Sequence, residues 1–159
     1  MLILGLDPGS TRVGYGLIKK EGGRLKFIKA GLLKITSTNK AERLVELEKS
    51  FSSLLRSVKP ELASLEKLYF VKNWKTGLEV AQSRGILTLL ITKNKIPLLE
   101  YTPLQIKQAL TGYGLSDKKA VQKMVMKFLG IAKIQGGDDA ADALAAAITA
   151  AYENLSLLK

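Results

Sequence analysis

Residues 2–7 open the chain as Leu2-Ile3-Leu4-Gly5-Leu6 and then Asp7, an apolar run without alternation. A strand that shows one face to water alternates apolar and polar side chains, whereas a continuous run has to be covered on both faces. Residues 2–7 therefore read as a buried strand. Asp7-Pro8-Gly9-Ser10 is a turn. Residues 13–20 and 25–35 read as two further strands joined as a hairpin at Glu21-Gly22-Gly23-Arg24. The chain therefore starts as an antiparallel meander.

Helical periodicity follows. Asn39 with Glu42 three residues on has the form of a capping box, and Leu44, Leu47, Phe51, Leu54, Leu55 and Val58 recur at helical spacing up to Pro60. Leu62 to Leu65 is a short apolar strand that ends at Glu66. A long helix is expected after Asn73, carrying Leu78, Ala81, Ile86, Leu89 and Leu90, and Pro97 to Tyr101 supplies one more strand. Thr102 and Pro103 are an N-cap and a first-turn proline, and the helix they start stops near Gly112. Ser116 is expected to cap the next helix, which Gly130 ends. The last helix is expected to start near Asp138 and to run through an Ala-rich segment to about Tyr152. The order β-β-β-α-β-α-β-α-α-α, with right-handed β-α-β units, gives an α/β fold: a mixed five-stranded sheet with helices on both faces.

Lys and Arg number 25 against 14 Asp and Glu, a net charge of +11 that suits a polyanionic partner as well as an ordinary Lys-rich surface. The chain has no Cys and no His. Thiol catalysis, Ser-His triads and Cys/His zinc sites are thereby excluded, leaving carboxylate-metal chemistry, Lys-based chemistry or no catalysis. No run approaches the length of a membrane span and the first strand is no signal segment, so the expected location is the cytoplasm.

Four carboxylates run against the basic balance. Asp7 ends the first strand and Glu66 ends a strand that reads as parallel to it, and ligands of open α/β sheets collect at such ends. Asp139 and Asp142 are three residues apart, so they share one helical face that can point back at the same place while the Ala residues pack on the sheet. Crowded carboxylates repel unless cations intervene, and hard oxygen donors suit Mg²⁺ or Mn²⁺. Two such ions about 4 Å apart can activate a water and stabilise the leaving oxygen of a phosphodiester. Taken singly, Asp7 is also a turn residue, Asp138, Asp139 and Asp142 are also helix-dipole charges, and Glu66 is also a surface partner for Lys67. Only the conjunction favours a metal site, and Asp138 reads as a helix cap.

Lys119, Lys123 and Lys127 recur every four residues with Lys118 beside them, as a phosphate track or a solvated face. Trp74 reads as an exposed loop residue and Arg84 as structural or interfacial. The segment Leu78 to Leu90 has an apolar face broad enough for both the sheet and a partner.

Leu4-Gly5-Leu6-Asp7-Pro8-Gly9-Ser10 with Gly14-Tyr15-Gly16 resembles the start of the RuvC family of bacterial Holliday-junction resolvases. The resemblance continues through Leu65-Glu66-Lys67-Leu68-Tyr69-Phe70, Asn73, Gln82-Ser83-Arg84-Gly85, Glu100-Tyr101-Thr102-Pro103, Lys107, Gly112-Tyr113-Gly114, Lys118, Val121-Gln122 and Asp139-Ala140-Ala141-Asp142-Ala143-Leu144-Ala145. It implies a ribonuclease-H-like fold forming a single nuclease domain over 1–159, a homodimer, and symmetric paired cuts in a four-way DNA junction. It also implies two Mg²⁺ per site, with Mn²⁺ able to substitute, and the partners RuvA and RuvB. The acidic site falls on Asp7, Glu66, Asp139 and Asp142, which are the expected catalytic and metal-binding residues. Junction-binding features fall on Tyr69, Lys107 and Lys118, and Asn73, Lys119 and Lys123 complete the expected DNA-contacting set. Tyr69 stands where the family commonly has Phe and can likewise stack on bases. In the implied mechanism Asp7 bridges two metals, the other acids hold one or the other, and in-line attack by water leaves 5′-phosphate and 3′-hydroxyl ends. The alternatives are another ribonuclease-H-like nuclease acting on RNA, a sugar-kinase or actin-like ATPase, and a non-catalytic basic DNA-binding protein.

Overall fold

The computed structural model describes residues 1–67 and 74–153. In chain order it contains β1 (Leu2–Pro8), β2 (Arg12–Glu21), β3 (Arg24–Lys34), α1 (Lys40–Val58), β4 (Leu62–Glu66), α2 (Trp74–Lys93), β5 (Leu98–Tyr101), α3 (Pro103–Thr111), α4 (Lys118–Leu129) and α5 (Gly137–Tyr152). The sheet order is β3-β2-β1-β4-β5. The three meander strands pair antiparallel, and β1, β4 and β5 pair parallel. This is the expected mixed five-stranded sheet. Among the described residues no helix is long and apolar enough to cross a membrane.

Side chains alternate across a strand, so β1 serves two cores. Leu4 and Leu6 pack with Leu47, Phe51, Leu54 and Leu55 of α1 and Leu87, Leu90 and Ile91 of α2. Ile3 points to the opposite face, where α5 packs with α3 and α4 through Ile106, Leu110, Val121, Val125, Leu144 and Ile148. The unbroken apolar run at the start of the chain is explained by this double coverage.

Local signals set most boundaries. Thr102 and Gln105 form a full capping box at α3, and Gly112 closes that helix in the left-handed conformation at φ 77°. Asn39 caps α1 through the N–H groups of Ala41 and Glu42, but the Glu42 carboxylate accepts from the Ser37 hydroxyl at 2.8 Å. The cap of α4 is Asp117, not Ser116: its carboxylate accepts from the Ala120 N–H at 2.7 Å. The Ser116 hydroxyl is engaged instead by that of Thr111 at 2.8 Å. The residue before α5 is Gly136, at φ 94° and without a side-chain cap, which leaves Asp138 inside the first turn as a charge and not a cap.

Candidate active site

Asp7 shares its face of β1 with Ile3 and Gly5, and Glu66 shares its face of β4 with Leu62 and Ser64. Both acids therefore point to the α5 side at the carboxyl ends of two adjacent parallel strands, where Leu6 pairs with Leu65. The helix lies unusually close to the strands there. A Cβ on Gly5 would lie 2.8 Å from the Ala147 nitrogen and overlap the Ala143 carbonyl. One on Gly16 would lie 2.6 Å from Leu144 Cδ2, and one on Gly14 would overlap the backbone of Asp139. Glycines on the sheet facing alanines on the helix permit this approach, and the buried Ser64 hydroxyl adds a bond to the Ala146 carbonyl at 2.9 Å. The consequence is positional: the first turns of α5 deliver Asp139 and Asp142 to Asp7.

The electrostatics register this meeting. Burial, then the charges of Asp142, Glu66 and Asp139, push the Asp7 carboxyl up to about 7, with Lys118 pulling the other way. Glu66 is raised by burial and then by Asp142, opposed by Lys107 and Lys118. Two cations attend the outer acids. Arg12 pairs with Asp139. Lys118 lies 3.0 Å from Asp142 and 3.4 Å from Asp138. Burial pulls Lys118 down, but its bonds and charge contacts with Asp142 and Asp138 outweigh that and hold it above the ordinary lysine value. Asp138 is also bonded by Gln122 at 2.9 Å and is held below the usual carboxylate range by Gln122 and then Lys118.

Glu66, Asp142, Lys107 and Lys118 line one cleft of about 200 Å³, walled by Pro103, Ile106, Val121 and Ala145. Among the described residues no three acidic side chains, as placed, form a cluster close enough to grip one ion. Asp139 is turned onto Arg12 and Asp142 onto Lys118. The donor set nonetheless fits a hard divalent cation: it is all carboxylate, half-buried and mutually repelling, and a bound cation would relieve that repulsion. Lys119, Lys123 and Lys127 form an exposed stripe on α4 with no ion-pair partner among the described residues. Tyr69 and Asn73 lie outside the described residues, as does the Trp74 side chain.

The model of the family described as crossover junction endodeoxyribonuclease RuvC matches residues 3–150. The chain belongs to the RuvC family. Its curated relatives include the RuvC of Syntrophomonas wolfei, 44% identical over 149 residues that make up 93% of this chain and 87% of that one. The RuvC of Caldicellulosiruptor saccharolyticus is 40% identical over 160 residues, covering 99% of this chain and 96% of its own. Among solved structures, T. thermophilus RuvC in complex with a Holliday junction substrate matches with a TM-score of 0.88 at 29% identity, over 96% of this chain and 93% of that one. The fold is the ribonuclease-H-like fold of RuvC.

Within this RuvC fold, sequence reasoning missed three contributors to the site. Arg12 carries no motif signal; it approaches Asp139 because the hairpin register brings the start of β2 back beside the end of β1. Gln122 shows its role only once α4 lies against α5. The third, Gly5 with Gly14 and Gly16, was legible: two strands that pair and carry glycine on one face announce a close neighbour.

Proposed function

We propose that this RuvC-family chain is a structure-selective, metal-dependent endonuclease. It resolves four-way DNA junctions by symmetric paired nicks and leaves 5′-phosphate and 3′-hydroxyl ends, in DNA recombination and repair. The observation that carries the reading is the convergence of Asp7, Glu66, Asp139 and Asp142 on one end of a sheet that superposes on a junction-bound RuvC.

Asp7, Glu66, Asp139 and Asp142 would hold two Mg²⁺, or Mn²⁺ in their place. Bound there, these ions would activate the attacking water and stabilise the departing 3′ oxygen. The Asp7 carboxyl, pushed up to about 7 by burial and the neighbouring acids, would lose its proton more readily with positive charge in the cluster. Arg12 and Lys118, which now pair with Asp139 and Asp142, would then be free to meet phosphate oxygens, Lys118 from within the cleft. Lys107 also lines the cleft, opposes the upward shift of Glu66 and would offer a second phosphate contact. Lys119 and Lys123 extend that contact along α4. Tyr69 and Asn73 enter the proposal through the sequence resemblance, Tyr69 as a base-stacking residue near the crossover.

Paired cuts need two sites, and α2 supports a homodimer. Leu78 and Leu89, each about half exposed, are three helical turns apart on one face, with exposed Gly85 between them. Cytoplasmic location and cooperation with RuvA and RuvB complete the reading.

The test is cleavage of a synthetic four-way DNA junction with Mg²⁺, beside linear duplex and an RNA–DNA hybrid, by wild type and Asp7→Asn. Paired nicks in the junction alone are expected. Asp7→Asn should lower the rate by roughly a thousandfold or more, because several kcal/mol of metal-borne stabilisation is lost, and should leave junction binding intact. Normal cutting by Asp7→Asn would sink the assignment.

A further inference from the structure

Glu66 is the last residue of β4, where a strand runs out of ladder partners. The peptide unit that follows it is nevertheless held from both sides. Its N–H, carried by Lys67, donates to the Tyr101 carbonyl at 2.7 Å. Its carbonyl, that of Glu66, accepts from one arm of the Arg84 guanidinium. The other arm of the same guanidinium donates to Glu100 Oε1 on β5. Arg84 thus reaches from α2 across the carboxyl ends of two parallel strands, at the step where Leu65 pairs with Glu100 and Glu66 with Tyr101. Its side chain is only 16% exposed, so water competes poorly for its bond to the Glu66 carbonyl, while Glu100 stands nearer to solvent.

This arrangement bears on the acid cluster. The direction in which a side chain leaves the backbone is set by the peptide planes on either side of its Cα. Glu66 faces the like charge of Asp142, and an unrestrained strand end would let it turn towards water. A guanidinium fork has rigid donor geometry, and a charged donor on a carbonyl is stronger than a neutral one.

We propose that Arg84 is a positioning residue for the cleavage reaction: its fork, braced by Glu100, locks the Glu66–Lys67 peptide so that the Glu66 carboxylate stays in the acid cluster. The inference rests on the reading of Glu66 as a metal ligand, and it extends that site by one layer into α2 and β5.

Arg84→Met keeps the apolar stem and removes both donors. Single-turnover cutting of a four-way DNA junction should fall roughly 10- to 100-fold, the usual effect of losing a residue that orients a ligand. Mn²⁺ binding to the DNA-free protein, read by calorimetry, should weaken by the same order, with junction affinity in Ca²⁺ unchanged. Arg84→Lys, able to make one bond, should recover part of both losses. Glu100→Gln should give a smaller loss in the same direction, and together with Arg84→Lys it carries the test if Arg84→Met does not fold. Wild-type cutting and Mn²⁺ binding in these variants, with Glu66→Gln inactive, would overturn the lock and leave the site standing. Normal cutting by Glu66→Gln would overturn both. Loss of junction affinity in Arg84→Met matching its loss of cutting would make Arg84 a DNA contact and overturn the positioning role.

Discussion

The carbonyl oxygen of Asp139 occupies the space that a Cβ on Gly14 would need. Gly14 is itself the ladder partner of Asp7. One missing side chain therefore sets how near the acid on the helix comes to the acid on the sheet.

Gly14→Val should force the first turn of α5 off β2. Overpacking of this kind costs about 1–3 kcal/mol, which urea unfolding would measure. Cutting per folded molecule should fall much further than stability does, because the displaced residue is Asp139. A variant that loses stability and keeps full activity would show that the close approach serves packing alone.

Lys118 and Asp138 should separate cleanly. Asp138 is exposed and, among the described residues, bonds to Gln122 and Lys118, so Asp138→Asn should cut within about threefold of wild type, the scale of a surface pair. Lys118→Met removes a cation that faces Asp142 inside the cleft. It should lower the single-turnover rate by about 100-fold if Lys118 stabilises phosphate charge in the transition state.

The Asp7 carboxyl gives the metal-free protein a characteristic pH response. Its folded-state value of about 7 lies above the ordinary 3.8, so between these limits the folded chain keeps a proton that the unfolded chain has released. The stabilisation is complete below about pH 4 and is lost as the pH rises through about 7. Asp7→Asn abolishes the titration. In chelator, its stability should exceed that of wild type by about 2–4 kcal/mol at pH 8, and the gap should close towards pH 4. Adding Mn²⁺ at pH 8 should stabilise wild type and leave Asp7→Asn nearly unmoved. Thermal unfolding across that pH range checks all of this.

The exposed leucines of α2 make a separate prediction. Leu89→Lys puts a charge into the stripe shared with Leu78 and Gly85. Sedimentation at micromolar concentration should shift from dimer towards monomer, with paired nicking replaced by single nicks. A dimer that survives both Leu78→Lys and Leu89→Lys would place the seam elsewhere.

Much of this was readable along the chain because the signals are local. Thr102-Pro103 and Gly112 mark the two ends of α3 by backbone chemistry that involves a few neighbouring residues. The run Leu2 to Leu6 announces burial on both faces, and the structure covers it with α1 and α2 on one side and α5 on the other. The cap of α4 was misread by one residue because Ser116 and Asp117 are both good caps, and the choice fell to the Thr111 hydroxyl, which engages Ser116 from the preceding helix.

The sequence by itself determined what the site could not be: with neither His nor Cys, any metal centre was confined to oxygen donors, and Asp7, Glu66, Asp139 and Asp142 stood where strand ends and a helix start could present them. Tertiary structure alone decided what holds those acids and what neutralises them. Arg12 reaches Asp139 through a hairpin register, Lys118 reaches Asp142 through the packing of α4 on α5, and Arg84 reaches the Glu66 carbonyl from a helix 18 residues away in sequence. Caps and periodicity are properties of neighbours along the chain. Ion pairs between elements are not, because a long flexible cation acquires its partner only when packing has fixed where the two backbones lie.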